Sequence, residues 1–413
     1  MSEQSDGPDR ALPADQCNAP DIQGVEALGG NVAILERAEA PQVEAQAFTL
    51  PLEFDPQAKA YLQEHGAETT DHCFHLANIL HMNGNVAEAS IIYRRAYDLH
   101  SKSPSQYPSA QALLQVRLLT LLKSGQSVPP EELQEMRSLS IPYAQYIEGV
   151  QKGWNGASAI EALKTIGNAF EEFHTGEEAD TLWLEFALRA KPSLFDVRLD
   201  VNSPSTRIPR RIFMYWDENP PPEIAENFDY HRKLNGFEVR IMDFAEATEW
   251  LYDNYGIEAR NIFINARHPA EAADFLRLHL LQALGGWWLD ADLKLGKQAT
   301  LDFMATRTKS ATFLLTRGHV VHNDFFGTCP NNEVLSDALL SIYRNCYLHS
   351  GLFIAYKTGP GVYARAINRI AYRSLNGNRP KQSIEIHDQA KFNELIEEFH
   401  TPYKFQTPNW RAI

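Results

Sequence analysis

Long apolar runs are missing from this sequence. No stretch of its 413 residues reaches the roughly 18 consecutive apolar positions that a membrane-spanning helix needs. Cysteine is scarce. Cys17, Cys73, Cys329 and Cys346 are scattered without C-x-x-C spacing, so neither a zinc site nor a disulfide framework is indicated, and reduced thiols are expected. Positive charge is in deficit: 38 Lys and Arg stand against 53 Asp and Glu, for a net charge of −15. That balance argues against nucleic acid or an anionic membrane as the main partner. It leaves room for a small anionic ligand, because a metal ion can bring positive charge locally. The acidic, Pro-rich start does not read as a secretory signal.

What remains is an ordinary globular balance, 44% hydrophobic and 22% charged, in a chain long enough for two domains. Residues 1–50 read as a mostly disordered acidic tail. Residues 51–195 read as all-helical. CFHLANILHMNGNVAEASIIYRRAYDL, from Cys73 to Leu99, holds two apolar helical patterns broken at Asn83-Gly84-Asn85, with the small and large positions of a tetratricopeptide-like helix pair. A looser copy surrounds Gly176 and ends at Pro192. Such pairs leave a concave groove, so the region is expected either to recognise a partner or to brace the rest of the chain. His72, His75, His81 and His100 lie on these helices without a converging carboxylate set, and ordinary packing histidines are expected there.

From residue 196 the pattern changes to strand–helix alternation, which predicts a mixed α/β domain over 196–413. IPRRIFMYW (208–216) and GFEVRIMDF (236–244) read as strands, with a helix over 245–254. The densest stretch follows at 268–293. Ala273, Leu276, Leu280 and Leu284 recur at helical spacing, and Gly285-Gly286 stops the helix. Trp287-Trp288-Leu289 then opens a strand running into Asp290-Ala291-Asp292. On a strand, side chains two apart share a face, so Asp290 and Asp292 are expected to point the same way. Two adjacent carboxylates repel unless a cation lies between them, and a hard divalent ion with oxygen ligands suits that place. Its open positions would take phosphate oxygens. Asp274 and Arg277, three apart on one helical face, either pair with each other or reach substrate hydroxyls.

The composite Ala272-Ala273-Asp274-Phe275-Leu276-Arg277 followed by Leu284-Gly285-Gly286-Trp287-Trp288-Leu289-Asp290-Ala291-Asp292 resembles the glycosyltransferases that carry a D-x-D sugar-binding motif. These include yeast initiating mannosyltransferases, capsular polysaccharide transferases and the clostridial glucosylating toxins. Trp replaces the family's usual Tyr before the motif, and the resemblance spans roughly residues 207–413. It implies a GT-A-like α/β fold and a retaining transfer of a hexose or N-acetylhexosamine from a UDP-sugar, or a GDP-sugar, to a protein or glycan acceptor. The cofactor implied is Mn²⁺ or Mg²⁺, with Asp292 a direct ligand and Asp290 on the ribose and sugar. Asp274 and Arg277 would grip sugar hydroxyls. By the same resemblance Trp216 would stack on the base, although Phe213 replaces a usual His. Asn323 and the Gly359-Pro360-Gly361 turn behind Thr358 would line the donor pocket. Asn409 and Trp410 would supply a late metal ligand and a closing ring. A soluble cytoplasmic enzyme of bacterial type is the resulting expectation, with signal-less export left open. Two other readings stand beside it. One is a D-x-D phosphatase, disfavoured by Leu293-Lys294 after the motif. The other is a helical-repeat adaptor with a degenerate transferase domain.

Overall fold

The computed structural model describes residues 52–104, 108–195, 197, 207–296, 298–378 and 380–405. The tail expected over 1–50 and the residues Asn409 and Trp410 lie outside the described residues. Among the described residues up to Phe195 every regular element is helical. Thr70–Met82 and Val86–Lys102 form a hairpin across the Asn83-Gly84-Asn85 turn. Buried Asp55 pins that turn, accepting from Asn83 Nδ2 at 3.0 Å and Asn85 Nδ2 at 2.8 Å. Further helices follow at Ala110–Lys123, Pro130–Leu139, Ile141–Trp154, Ala159–Ile166 and Glu178–Ala190. Most of them bury an apolar stripe, and Leu80, Ile92, Leu118, Ile147, Leu163 and Trp183 are all fully buried.

The second half is built on a mixed central sheet of β1 (Arg211–Tyr215), β2 (Glu238–Met242), β3 (Gly286–Leu289), β5 (Ala311–Leu314), β6 (Phe325–Thr328) and β7 (Ile384–His387), in the order β2-β1-β3-β6-β5-β7. A separate ribbon pairs β4 (Leu293–Lys294) with β8 (Glu397–Glu398). β1 runs parallel to β2 and β3, β6 runs antiparallel to β3 and β5, and β7 is parallel to β5. Both faces of the sheet are covered over β1, β3, β5 and β6, which is why these strands are almost wholly buried, whereas β2 and β7 at the two edges are mostly half-buried. Phe213, Trp288, Phe313 and Phe326 face the core that continues into the N-terminal helices. Ile212, Met214, Trp287, Leu289 and Phe325 face a second core on the other side. The helix expected over 245–254 extends to Phe244–Ile264, in two stretches joined at Gly256, whose φ of 82° no regular helix contains. No helix among the described residues is long and apolar enough to cross a membrane.

The helical half meets the sheet half through buried polar contacts. Arg365, on the Pro360–Leu375 helix, donates from Nε to Asp180 Oδ1 at 2.7 Å and from Nη2 to the Phe173 carbonyl at 2.9 Å. Asp180 Oδ2 accepts from the Gly176 N–H at 2.9 Å. Thr175 Oγ1 donates to the Tyr356 carbonyl at 2.6 Å, and Asn345 Nδ2 binds the same hydroxyl at 2.8 Å and the Lys357 carbonyl at 2.9 Å. Gly361 lies directly on this turn: a Cβ there would come within 2.6 Å of Gly176 Cα. The N-terminal helices thus brace the loop that leads into Thr358 and Gly359.

Candidate active site

The Pro269–Leu284 helix begins under His268, whose Nδ1 accepts from the Ala270 N–H at 3.0 Å. Gly285 and Gly286 end it at φ 61° and 124°, a region open to glycine. Any side chain here would also collide, at 2.6 Å from Pro330 for Gly285 and 3.0 Å from the Arg211 carbonyl for Gly286. The chain therefore passes from helix to β3 without a loop. That tight joint sets Asp274 and Arg277, on the helix, beside the strand end that leads to Asp290.

Arg277 is the hub. Its Nη2 lies 3.2 Å from Asp274 Oδ1 and 3.1 Å from Asp290 Oδ1. Its Nη1 donates to the Asn323 carbonyl, and its guanidinium rests 5.0 Å over the Trp288 ring. Asp274 also accepts from Asn323 Nδ2 at 2.8 Å and from Thr358 Oγ1 at 3.1 Å. Of the two arrangements left open by the sequence, Asp274 and Arg277 adopt the ion pair. They are 5% and 3% exposed, so the surface they offer a ligand is small, whereas the Asp290 side chain keeps 29%. Thr358 does not cap the following helix, whose cap is Gly359. Gly359 is close enough to Asp274 that a Cβ would sit 3.3 Å from Oδ2. Gly361 faces Gly176 of the helical half instead.

Asp290 and Asp292 lie in a turn, not on the strand. Pairing of β3 with β6 ends at Leu289↔Phe325, and the Leu293 N–H donates back to the Asp290 carbonyl at 3.0 Å. Buried Asn227, from the Pro222–Arg232 helix, fixes the turn by donating to the carbonyls of Ala291 and Leu293, each at 2.8 Å. Trp288 Nε1 donates to Asp290 Oδ1 at 2.6 Å. Asp292 Oδ2 accepts from Tyr403 OH at 3.2 Å and lies 2.6 Å from Lys404 Nζ. Tyr403 in turn meets Trp216 edge-on, with ring centroids 5.1 Å apart.

A third carboxylate belongs to the group. The Asp290 N–H donates to the Asp324 carbonyl at 2.8 Å, and the β3–β6 register carries on to set Asp324 opposite Asp290. Cross-strand neighbours of like charge destabilise each other unless something neutralises them. His322 Nδ1 lies 3.1 Å from Asp324 Oδ1, with its ring stacked on Phe392. Burial, opposed by Arg277 and aided by the Asp292 and Asp324 charges, pushes the Asp290 carboxyl up to about 7. Burial likewise lifts Asp274 to about 6, opposed by Arg277, Thr358 and Asn323. Burial works against the charge of Arg277, and the Asp290 and Asp274 carboxylates overcome it.

Sequence reasoning missed Asn227, Asp324, Tyr403 and Lys404. Asp324 had one available signal, its place next to Asn323 at a strand start. The others are 65, 111 and 112 positions or so from the residues they touch, and no local pattern carried them. A cavity of about 450 Å³ opens along the same sheet edge, between Leu315, His387 and Gln389, and Gln389 Oε1 lies 3.1 Å from His322 Nε2. Among the described residues no three His, Cys, Asp or Glu side chains form a ready-made metal cage.

Comparison of the sequence with protein-family models found no match, and comparison with curated proteins found none either. Among solved structures, one described as "PaToxG Glycosyltransferase" aligns over 48% of this chain and 86% of its own, with 16% identity and a TM-score of 0.33. A likeness that coarse says nothing about side chains, so the functional reading rests on the geometry above.

Proposed function

We propose that this chain is a metal-dependent, retaining glycosyltransferase with a GT-A-like domain. It would move a hexose or N-acetylhexosamine from a nucleotide-diphosphate sugar, UDP preferred, to a protein or glycan acceptor. The observation that carries this reading is the Asp290–Asp292 pair in the turn after β3, with Asp324 set opposite Asp290 where the carboxyl end of β3 meets the start of β6. β1 and β3 end side by side there, the place where open α/β sheets bind ligands. Arg277 offsets part of the charge, while burial, together with Asp292 and Asp324, holds the Asp290 carboxyl above the usual carboxylate range.

The donor set suits Mn²⁺ or Mg²⁺, which are commonly held by one or two carboxylates while substrate phosphates fill the open positions. Asp290 and Asp292 would hold the ion, and when bound it would neutralise charge growing on the leaving diphosphate. The chain's own residues do the rest. Arg277, locked between Asp274 and Asp290, fixes the Asp290 carboxylate, and Asn323 and Thr358 fix Asp274 in turn. Trp216 offers a half-buried ring for the base at the edge of the site. In the reaction the bond from the anomeric carbon to the diphosphate oxygen breaks and one to the acceptor oxygen forms. The acceptor's proton goes to the departing phosphate. A D-x-D phosphatase would need its first carboxylate free as a nucleophile, and Asp290 is instead tied to Arg277 and Trp288.

The test is nucleotide release from UDP-glucose, UDP-galactose, UDP-GlcNAc and GDP-mannose by the purified protein, with Mn²⁺ and with EDTA. Metal-dependent release from one donor supports the proposal. No release and no donor binding with Mn²⁺ present returns attention to the adaptor reading.

A pH dependence follows. A cation must replace the proton on Asp290, whose carboxyl lies at about 7. Apparent Mn²⁺ affinity should therefore rise about tenfold per pH unit below 7 and level off above it. Calorimetric titrations from pH 5.5 to 8.5 check this, and a flat profile contradicts it.

A further inference from the structure

A positive charge from far along the chain sits on the Asp290–Asp292 turn. Lys404 Nζ lies 2.6 Å from Asp292 Oδ2, an oxygen that also accepts from Tyr403 OH. Both residues belong to the short helical turn Pro402–Phe405, 111 positions further along the chain at Tyr403. Tyr403 is anchored by its ring against Trp216. Asp292 cannot readily turn away, because Asn227 clamps the backbone on both sides of it. The ammonium can leave more easily: the Lys404 side chain is 51% exposed, against 21% for Asp292. An ammonium on a flexible stem is a compact, strongly hydrated point charge, and it takes the same carboxylate oxygen that a hard divalent cation would take.

We infer that Lys404 is the resident cation of this site, neutralising Asp292 until a divalent ion displaces it. The inference rests on the cation reading of the preceding section and adds to it a competitor within the chain. Three carboxylates gathered at one sheet edge need positive charge even without metal. Arg277 supplies it to Asp290 permanently, from a fully packed position. Lys404 supplies it to Asp292 exchangeably, from a half-exposed one. The metal affinity of the protein is then set by a difference, the ion's hold on Asp292 less the lysine's.

Mn²⁺ alone is the probe. Free Mn²⁺ is measured by electron paramagnetic resonance at pH 8 for the wild type, Lys404→Met and Lys404→Arg. Lys404→Met removes the charge and keeps the stem, and should bind Mn²⁺ about two- to fivefold more tightly, the range of an exposed ion pair. Lys404→Arg keeps the charge and should bind no more tightly than the wild type. Equal affinity for the wild type and Lys404→Met overturns the inference while leaving the cation site standing. Absence of Mn²⁺ binding in both overturns it together with the cation reading.

A second measurement needs no variant. Acetylation of Lys404 in the wild type by N-succinimidyl acetate, followed by mass spectrometry, should run several-fold faster with saturating Mn²⁺, because the ion frees the amine. An unchanged rate with Mn²⁺ bound also overturns the inference.

Discussion

Replacing Asp292 by Asn should lower metal-dependent nucleotide release by on the order of a thousandfold, the loss expected when charge stabilisation of a leaving group is removed. Folding should be nearly untouched. The Asp292 carboxylate is partly exposed, and its contacts among the described residues are with Tyr403 and Lys404. The turn itself is held through backbone carbonyls by Asn227, which the substitution does not reach. Circular dichroism and melting temperature should therefore match the wild type, while steady-state release falls to the EDTA level. A variant that keeps a tenth or more of the activity would place the chemistry elsewhere.

Arg365→Met should lower the melting temperature by on the order of 10 °C. The guanidinium is 1% exposed and answers Asp180, which is fully buried, at 2.7 Å. Removing one partner leaves an unpaired charge inside the protein and costs about 3–5 kcal/mol. Burial already pushes the Asp180 carboxyl upward, and Arg365 is the main force holding it down. The loss should also reach the active site. Asp180 holds the Gly176 N–H, and the Thr175–Gly176 turn holds the loop that ends in Thr358 and supports Asp274. Donor turnover should fall along with stability. The double variant Asp180→Leu, Arg365→Met should regain much of the lost melting temperature, because no buried charge is then left without a partner. A single variant that melts within about 2 °C of the wild type would remove this pair from the list of what joins the two halves.

Of the two roles considered for the helices before the sheet, bracing has direct contacts behind it. Thr175, Gly176 and Asp180 reach the Tyr356–Gly361 segment and Arg365 through hydrogen bonds and close backbone packing.

Local chemistry wrote much of the site into the sequence. The Gly285-Gly286 joint is legible because two glycines after an apolar helical stripe and before a bulky apolar run leave the backbone one sensible course, and φ values of 61° and 124° follow. Asp274 and Arg277 are legible as neighbours because helical spacing alone brings residues three apart together. Asp290 and Asp292 are legible as a charged pair at a strand end. That they occupy a turn was not legible, because the end of pairing at Leu289 depends on where β6 begins, 36 residues later at Phe325.

Only the tertiary structure decided the rest. Asp324 joins the carboxylates because β6 lies antiparallel beside β3, and a strand's partner is chosen by sheet packing, not by its own residues. Asn227, Tyr403 and Lys404 come to the Asp292 turn from a helix and a terminal segment far away in the chain. The sequence by itself determined which side chains carry charge and which short stretches bend or run straight, since those depend on neighbours three or four residues away. Which charges face one another depended on burial and on contacts between residues from 13 positions apart, Arg277 and Asp290, to 112, Asp292 and Lys404. Those are properties of the packed chain.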